Sequence, residues 1–157
     1  MAIIANILAS ILMLLATAAP ASVPIATPAA HAAPGAAALH VRVINLRNSS
    51  GQVICTLFNS PNGFPSDSTK AVGQSAVPIK QGVAVCVFGG LAPGKYALVT
   101  FHDENGNGEF DRNWLGLPKE GYAFSNNVRP VFSPPSFKAA AFDYAGGDQW
   151  LTVVMRY

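Results

Sequence analysis

A short acidic and asparagine-rich stretch in the second half of the chain has the spacing of a cation-binding loop. Side-chain oxygens recur at loop positions 1, 3, 5 and 9, and Gly108 stands at position 6. In EF-hand-type loops this spacing wraps a hard cation, the glycine permits a sharp turn, and position 7 supplies a backbone carbonyl. The predicted Ca²⁺ ligands are therefore Asp103, Asn105, Asn107, the carbonyl of Glu109, and Asp111.

One ligand of the full motif is missing. Position 12, where an EF-hand has a bidentate Glu, is Trp114, so the last ligand must come from elsewhere or be water. The candidate carboxylates are Glu120, Asp143 and Asp148, and the sequence does not choose among them. If the loop holds calcium, Asp103→Ala is expected to abolish the calcium response and to leave the metal-free fold largely intact. The alternative is a metal-free turn, because Asp and Asn side chains also bond backbone amides two residues on.

His102 raises the question of an enzyme. It directly precedes the loop, and Glu120 follows at short range, so an acid/base pair of a hydrolase can be drawn. The chain has no G-x-S-x-G elbow and no cysteine with a dedicated histidine, so a nucleophile is not assigned. His102 is instead predicted to end a strand and to orient the loop by hydrogen bonding, and no catalytic residue is assigned.

The elements around the loop are predicted to be β-strands. Apolar residues alternate at period two, with Leu39, Val41 and Val43 on one face and Val53, Cys55 and Leu57 on another. Strands are predicted over residues 39–43, 52–58, 75–79, 83–88, 95–101 and 149–157. Residues 102–148 are aromatic-rich with weak periodicity, and only a helical turn at 136–139 and a short strand at 139–144 are expected there. These aromatics are interpreted mainly as cover over one end of a sheet, and alternatively as a surface for stacking on sugars or other rings.

Six to seven short strands with frequent turns predict an all-β fold. The expected architecture is an antiparallel β-sandwich of transthyretin-like or immunoglobulin-like type, with a long aromatic-rich loop segment. The residues expected to be buried are Val41, Val43, Val85, Val87, Leu91, Tyr96, Leu98 and Val153.

The first 32 residues are typical of a signal peptide. Residues 3–19 are almost wholly apolar, and Ala30-His31-Ala32 forms an A-x-A cleavage site. An uncleaved membrane anchor is the alternative. The chain is therefore divided into a signal peptide (1–32), a short disordered segment (33–38) and one domain (39–157), exported to the periplasm or secreted, with no membrane span in the mature part.

Two cysteines, Cys55 and Cys86, lie in apolar runs. In an exported protein they are expected to form one disulfide, between neighbouring strands or facing sheets. Two buried thiols that act as small apolar side chains are the alternative. The chain has no C-x-x-C motif, so zinc binding and redox catalysis are not indicated.

Charge excludes one class of partner. The chain has 10 basic and 8 acidic residues, a formal net charge of +2, and its basic residues are dispersed from Arg42 to Arg156. Nucleic acid requires a concentrated cationic face, which this pattern does not provide. The partner is therefore expected to be a small molecule, a glycan or an envelope protein.

Two sets of motifs resemble known families. Residues 88–96, FGGLAPGKY, resemble the F-x-x-L-x-P-G-x-Y pattern of transthyretin-like and collagen-adhesin B-type sandwiches. Residues 57–65, 101–108 and 115–127 resemble domain-of-unknown-function family 2141, a family of exported bacterial proteins. This resemblance implies a periplasmic or secreted β-sandwich without an assigned activity. The function expected overall is a calcium-stabilised binding or structural module of the cell envelope, with a hydrolase using His102 or an adhesion accessory as alternatives.

Overall fold

The computed structural model describes residues 37–130 and 133–157, and within them eight strands form two sheets. The predicted signal peptide at residues 1–32 lies outside this range, and the first strand already begins at Ala38. The strands are β1 (Ala38–Ile44), β2 (Gln52–Phe58), β3 (Gly73–Pro78), β4 (Ala84–Gly89), β5 (Gly94–Asp103), β6 (Tyr122–Phe124), β7 (Phe142–Tyr144) and β8 (Gln149–Val154). A single-turn helix, α1 (Phe137–Ala140), and short 3₁₀ turns at Ser68–Lys70 and Ser125–Asn127 complete the elements.

The predicted all-β sandwich is confirmed, with differences in detail. One sheet has the order β4-β1-β8, and the other has the order β3-β2-β5-β6, with β7 paired to the beginning of β5. All pairs are antiparallel except β1 and β8, which run parallel. The strand that the sequence did not predict is β6. It lies inside the aromatic-rich segment, and its three residues are too few to show an alternating pattern.

The core lies between the two sheets. It is formed by the alternating apolar residues of β1, β2 and β5 together with those of β4 and β8, and most of these side chains are fully buried. Of the expected core residues, Val41, Val43, Tyr96, Leu98 and Val153 are buried, and Leu91 is partly buried against the same cluster.

The prediction for β4 was wrong. Val85 is only partly buried and Val87 is 40% exposed, whereas Ala84, Cys86 and Phe88 face the core. Register explains the difference, since Val41 of β1 pairs with Cys86 and residues directly opposite each other share a face. Every residue from 83 to 88 is apolar, so the sequence offers no alternation by which to choose the inner face.

A disulfide joins the two sheets across this core. Cys55 of β2 and Cys86 of β4 are bonded, with their Cα atoms 6.5 Å apart, and both residues are fully buried. The predicted pairing is confirmed, and it connects facing sheets instead of neighbouring strands. The two cysteines are separated by 31 residues in sequence. By lowering the entropy of the unfolded chain, a disulfide across such a loop raises the free energy of unfolding by about 3.5–4 kcal/mol.

Candidate functional site

The loop predicted to bind a cation begins at the last residue of β5. Asp103 is fully buried there, beneath the turn that joins β1 to β2. Gly51 of that turn has φ +64°, and a Cβ atom on it would lie 1.9 Å from the backbone oxygen of Asp103. A glycine is therefore required for the turn to close over the loop.

Three hydrogen bonds hold the Asp103 carboxylate. Its Oδ1 accepts from the amide of Asn107 at 3.0 Å, and its Oδ2 accepts from the amide of Gly108 at 2.9 Å and from Nε2 of Gln52 at 2.8 Å. Burial raises the pKa of Asp103, but these bonds outweigh burial and the pKa lies below its ordinary value. Asp103 thus stays ionised, and it has a structural role that the sequence did not indicate. Asp103→Ala is no longer expected to leave the metal-free fold intact.

The side chains at loop positions 3, 5 and 9 converge. The Nδ2 atoms of Asn105 and Asn107 lie 2.7 and 3.4 Å from the two carboxylate oxygens of Asp111. The Oδ1 atoms of the same asparagines accept from the amides of Asn107 and Glu109, at 3.1 and 2.8 Å. Gly108 adopts φ +79°, which suits a residue without Cβ at the sharp turn.

Glu120 is the candidate acid that the fold brings to the loop. Its side chain is buried, and its two oxygens accept from the amides of Glu104 and Asp111, each at 3.1 Å, so that it ties the two ends of the loop together. The other two candidates lie elsewhere. Asp143 pairs with Lys95 at the beginning of β5, and Asp148 lies near His40 and the amide of Ala38.

The remaining loop residues face outward. Glu109 is exposed, and Trp114, at position 12, is 90% exposed. In the described parts of the chain, no group of three or more His, Cys, Asp or Glu side chains is gathered as a metal cluster. The possible oxygen donors are therefore two carboxylates, two amides and backbone, with Glu120 beside them.

The charges around the loop are unbalanced. Among the described residues, no Lys, Arg or His side chain lies within ion-pair distance of Asp103, Asp111 or Glu120. These three carboxylates are held by amide and other neutral donors alone. None of these three carboxylates is therefore paired directly with a cationic side chain of the described residues, although Arg47 lies near enough to Glu120 to interact with its charge.

Glu104, at position 2, is the exception. Sequence analysis gave it no role, but it forms an ion pair with Arg47 and accepts from Nδ2 of Asn48 at 2.8 Å. Burial raises the pKa of Glu104, and the bonds to Arg47 and Asn48 lower it further than burial raises it, so the net shift is downward. This contact attaches the loop to the β1–β2 turn, and only the fold brings residues 47 and 104 together.

His102 does not orient the loop in the predicted way. Its ring is fully buried, with Nε2 2.8 Å from the carbonyl of Ser50 and Nδ1 2.7 Å from the hydroxyl of Tyr157. A carbonyl can only accept, so Nε2 donates to Ser50; in the neutral imidazole Nδ1 then accepts from the hydroxyl of Tyr157, which itself accepts from the amide of Arg47. Both ring nitrogens are engaged in fastening the β1–β2 turn and the C-terminus. This geometry gives no support to the hydrolase alternative.

Comparison with known proteins identifies a matching family model. A family model described as "Uncharacterized protein conserved in bacteria (DUF2141)" matches residues 41–152, which span the loop, Glu120 and both cysteines. It is the family that the sequence motifs resemble. No curated protein matches the chain, and no solved structure matches it. Separately, none of the helices in the described ranges has the length and apolar character needed to cross a membrane.

Proposed function

We propose that this chain, which belongs to the DUF2141 family of bacterial proteins, is an exported β-sandwich module of the cell envelope whose fold is stabilised by calcium. The observation that carries this proposal is the negative charge at the loop. Asp103, Asp111 and Glu120 lie at one loop, two of them buried, with no cationic side chain of the described residues in contact. A bound hard cation would balance these charges and would use the oxygen ligands that calcium prefers.

The convergence of loop positions 3, 5 and 9 adds a geometric argument. The two asparagine amides that face Asp111 carry an oxygen and an NH₂ group on the same carbon, so rotation about that bond exchanges donor for acceptor. In the calcium-bound state Asn105 and Asn107 would present oxygen to the cation beside Asp111, in exchange for the bonds that these oxygens accept from the amides of Asn107 and Glu109. Of the three candidates for a further carboxylate ligand, Glu120 is the one that lies at the loop, and it also holds the loop ends together.

Export is supported by two independent features. Residues 1–32 have the composition and the A-x-A site of a signal peptide. The Cys55–Cys86 bond is of a kind that persists in oxidising compartments and is rare in the cytosol. Calcium concentrations outside the cytoplasm suit a weak site, and we expect a Kd of about 10⁻⁴ to 10⁻³ M because the bidentate acid of position 12 is absent.

The test is a thermal unfolding titration of the purified, oxidised protein from calcium-free buffer to about 10 mM CaCl₂. For a Kd in the expected range, stability should rise by about 1.4–2.7 kcal/mol, since binding to the folded state alone adds RT ln(1 + [L]/Kd). Magnesium should stabilise much less, because it requires a smaller octahedral shell than a flexible Asn-rich loop offers.

Two matched variants make this titration specific. Asp111→Asn removes one charge at loop position 9 without changing the size of the side chain, and it should abolish most of the calcium response. Asp143→Asn makes the same change at the other end of β5 and should leave the response intact. If calcium leaves the unfolding temperature of the unmodified protein unchanged, the loop is a metal-free turn and the proposal fails.

A further inference from the structure

A second candidate site lies on the outer face of the β3-β2-β5-β6 sheet, away from the core. The strand register places Gln74, Thr56, Val99 and Phe124 in one row across four strands, with Phe101 and Tyr122 in a neighbouring row. These six side chains form the floor of a cleft of about 590 Å³. That volume is within the range of sites for small organic ligands.

Loops raise the walls of this cleft above the sheet. One wall comes from residues 65–68, a second from residues 108–118, and a third from Pro130, Ser133 and Pro134. The serines at positions 66, 68 and 133 contribute hydroxyl groups, and the floor adds the hydrogen-bonded pair of Gln74 and Thr56. The lining therefore combines ring surfaces with a few polar groups, as small-molecule sites do.

The wall formed by residues 108–118 has a layered structure. The ring centroid of Phe110 lies 5.6 Å from that of Phe101 and 5.8 Å from that of Tyr122, so the loop residue packs on two floor residues. The guanidinium carbon of Arg112 lies 5.0 Å from the centroid of Phe110. A cation is thus held beside a group of three aromatic rings, at the margin of the cleft.

Arg112 is the one charged residue in the lining of the cleft as the described residues form it. Its Nη1 donates to the carbonyl of Gly116 at 3.1 Å, and no carboxylate in the described ranges lies within ion-pair distance of it. A guanidinium has five N–H donors in a planar fork that matches a carboxylate or another oxyanion. Most of this donor capacity is free of protein acceptors and available to a ligand.

We propose that the cleft binds a small organic monoanion that carries a flat ring, such as an aromatic carboxylate. The oxyanion would lie on the free donors of Arg112, and the ring would pack against Phe110 and the apolar floor. The aromatic-rich segment then has a second function besides covering the sheet, and binding does not require the proposed calcium site. A neutral ring lacks the partner for Arg112, and a cationic ring is repelled by it, so the anion sets the specificity.

Two fluorescent probes that differ by one group test this directly. 8-Anilinonaphthalene-1-sulfonate carries two flat ring systems and a single sulfonate, and N-phenyl-1-naphthylamine is the same molecule without the sulfonate. The folded full-length protein should bind the sulfonate saturably at one site and at least tenfold more tightly than the neutral compound. That ratio is the contribution of about one charge-assisted hydrogen bond in a partly solvated site.

Arg112→Gln should weaken binding of the sulfonate by about tenfold or more and leave the neutral compound unaffected. Arg42→Gln is the matched control, because Arg42 also lies over an aromatic ring, Trp150, at 5.1 Å, but on the outer face of the other sheet. It should change neither probe. Gln74→Trp, on the exposed side of edge strand β3, should obstruct the floor and weaken both probes.

The proposal is overturned if the two probes bind equally, if Arg112→Gln binds the sulfonate as the unmodified protein does, or if Arg42→Gln has the same effect as Arg112→Gln. Absence of any saturable sulfonate binding overturns it as well. If the Arg112→Gln variant still gains stability from calcium, its loss of sulfonate binding does not arise from a disrupted cation loop.

Discussion

The two ends of β5 are held in the fold by different kinds of interaction. At its beginning, Lys95 pairs with Asp143 at 2.7 Å, but these side chains are 67% and 77% exposed, and the strand is held by the buried ring of Tyr96 against Tyr144. At its end, His102 and Asp103 are fully buried and each polar atom of their side chains has a partner. An exposed pair contributes little to stability, whereas a buried polar group is costly once its partners are lost. Apolar packing therefore holds one end, and a satisfied polar network holds the other.

The largest expected effect is at the polar end. Asp103→Ala removes three part-buried hydrogen bonds, donated by Gln52, Asn107 and Gly108, and at about 1.5 kcal/mol for each bond to a charged group we expect a loss of about 4 kcal/mol. Asp143→Ala, at the other end of the strand, should cost less than about 0.5 kcal/mol. Urea unfolding in calcium-free buffer measures both. Similar small losses for the two variants would show that the network at the end of β5 does not support the fold.

The next effect is at the apolar end. Tyr96 is buried in the main core, and its hydroxyl donates to the carbonyl of Ala92 at 2.7 Å, closing the turn that precedes β5. Tyr96→Ala should cost about 3 kcal/mol, the usual loss for a large buried aromatic. Tyr96→Phe, which keeps the ring and removes the hydroxyl, should cost about 1 kcal/mol. A loss below about 0.5 kcal/mol for the alanine variant would mean that this end of the strand does not depend on packing.

The smallest effect is on pH dependence, and of the two ends of β5 the polar end should contribute it. The folded-state pKa of Asp103 lies below the ordinary value of 3.8, so its contribution to stability is fully present above that pH and is lost as pH falls through the lower folded value. Glu104 adds a contribution of the same sign. Unfolding free energies of the calcium-free protein should therefore decrease below about pH 4.

Variants at the two ends of the strand localise this loss. Asp103→Asn should flatten the pH dependence because it removes the titrating group, whereas Tyr96→Phe, which removes no carboxylate, should lower the unfolding free energy without altering its slope below about pH 4. An unaltered slope in the Asp103→Asn variant would place the acid sensitivity elsewhere in the chain.

The sequence alone determined the fold class, the cysteine pair and the position of the loop. Alternation at period two in β1 turns Leu39, Val41 and Val43 to the core, so this pattern can be read without knowing the partners, whereas β2 is buried from Val53 to Phe58. The position of the loop could also be predicted from the sequence. Its oxygen-bearing side chains lie within nine consecutive residues, from Asp103 to Asp111, so their spacing is set by the local backbone. Its chemistry as a cation site stays a prediction that the calcium titration tests.

Only the tertiary structure decided which distant residues meet. It selected Glu120 over Asp143 and Asp148 as the acid at the loop, and it turned Val87 outward because Cys86 faces Cys55 across the core. It also placed Phe110 and Arg112 at a cleft floored by four strands. Such contacts depend on strand register and sheet order, which join residues far apart in the chain and leave no periodic trace in the sequence.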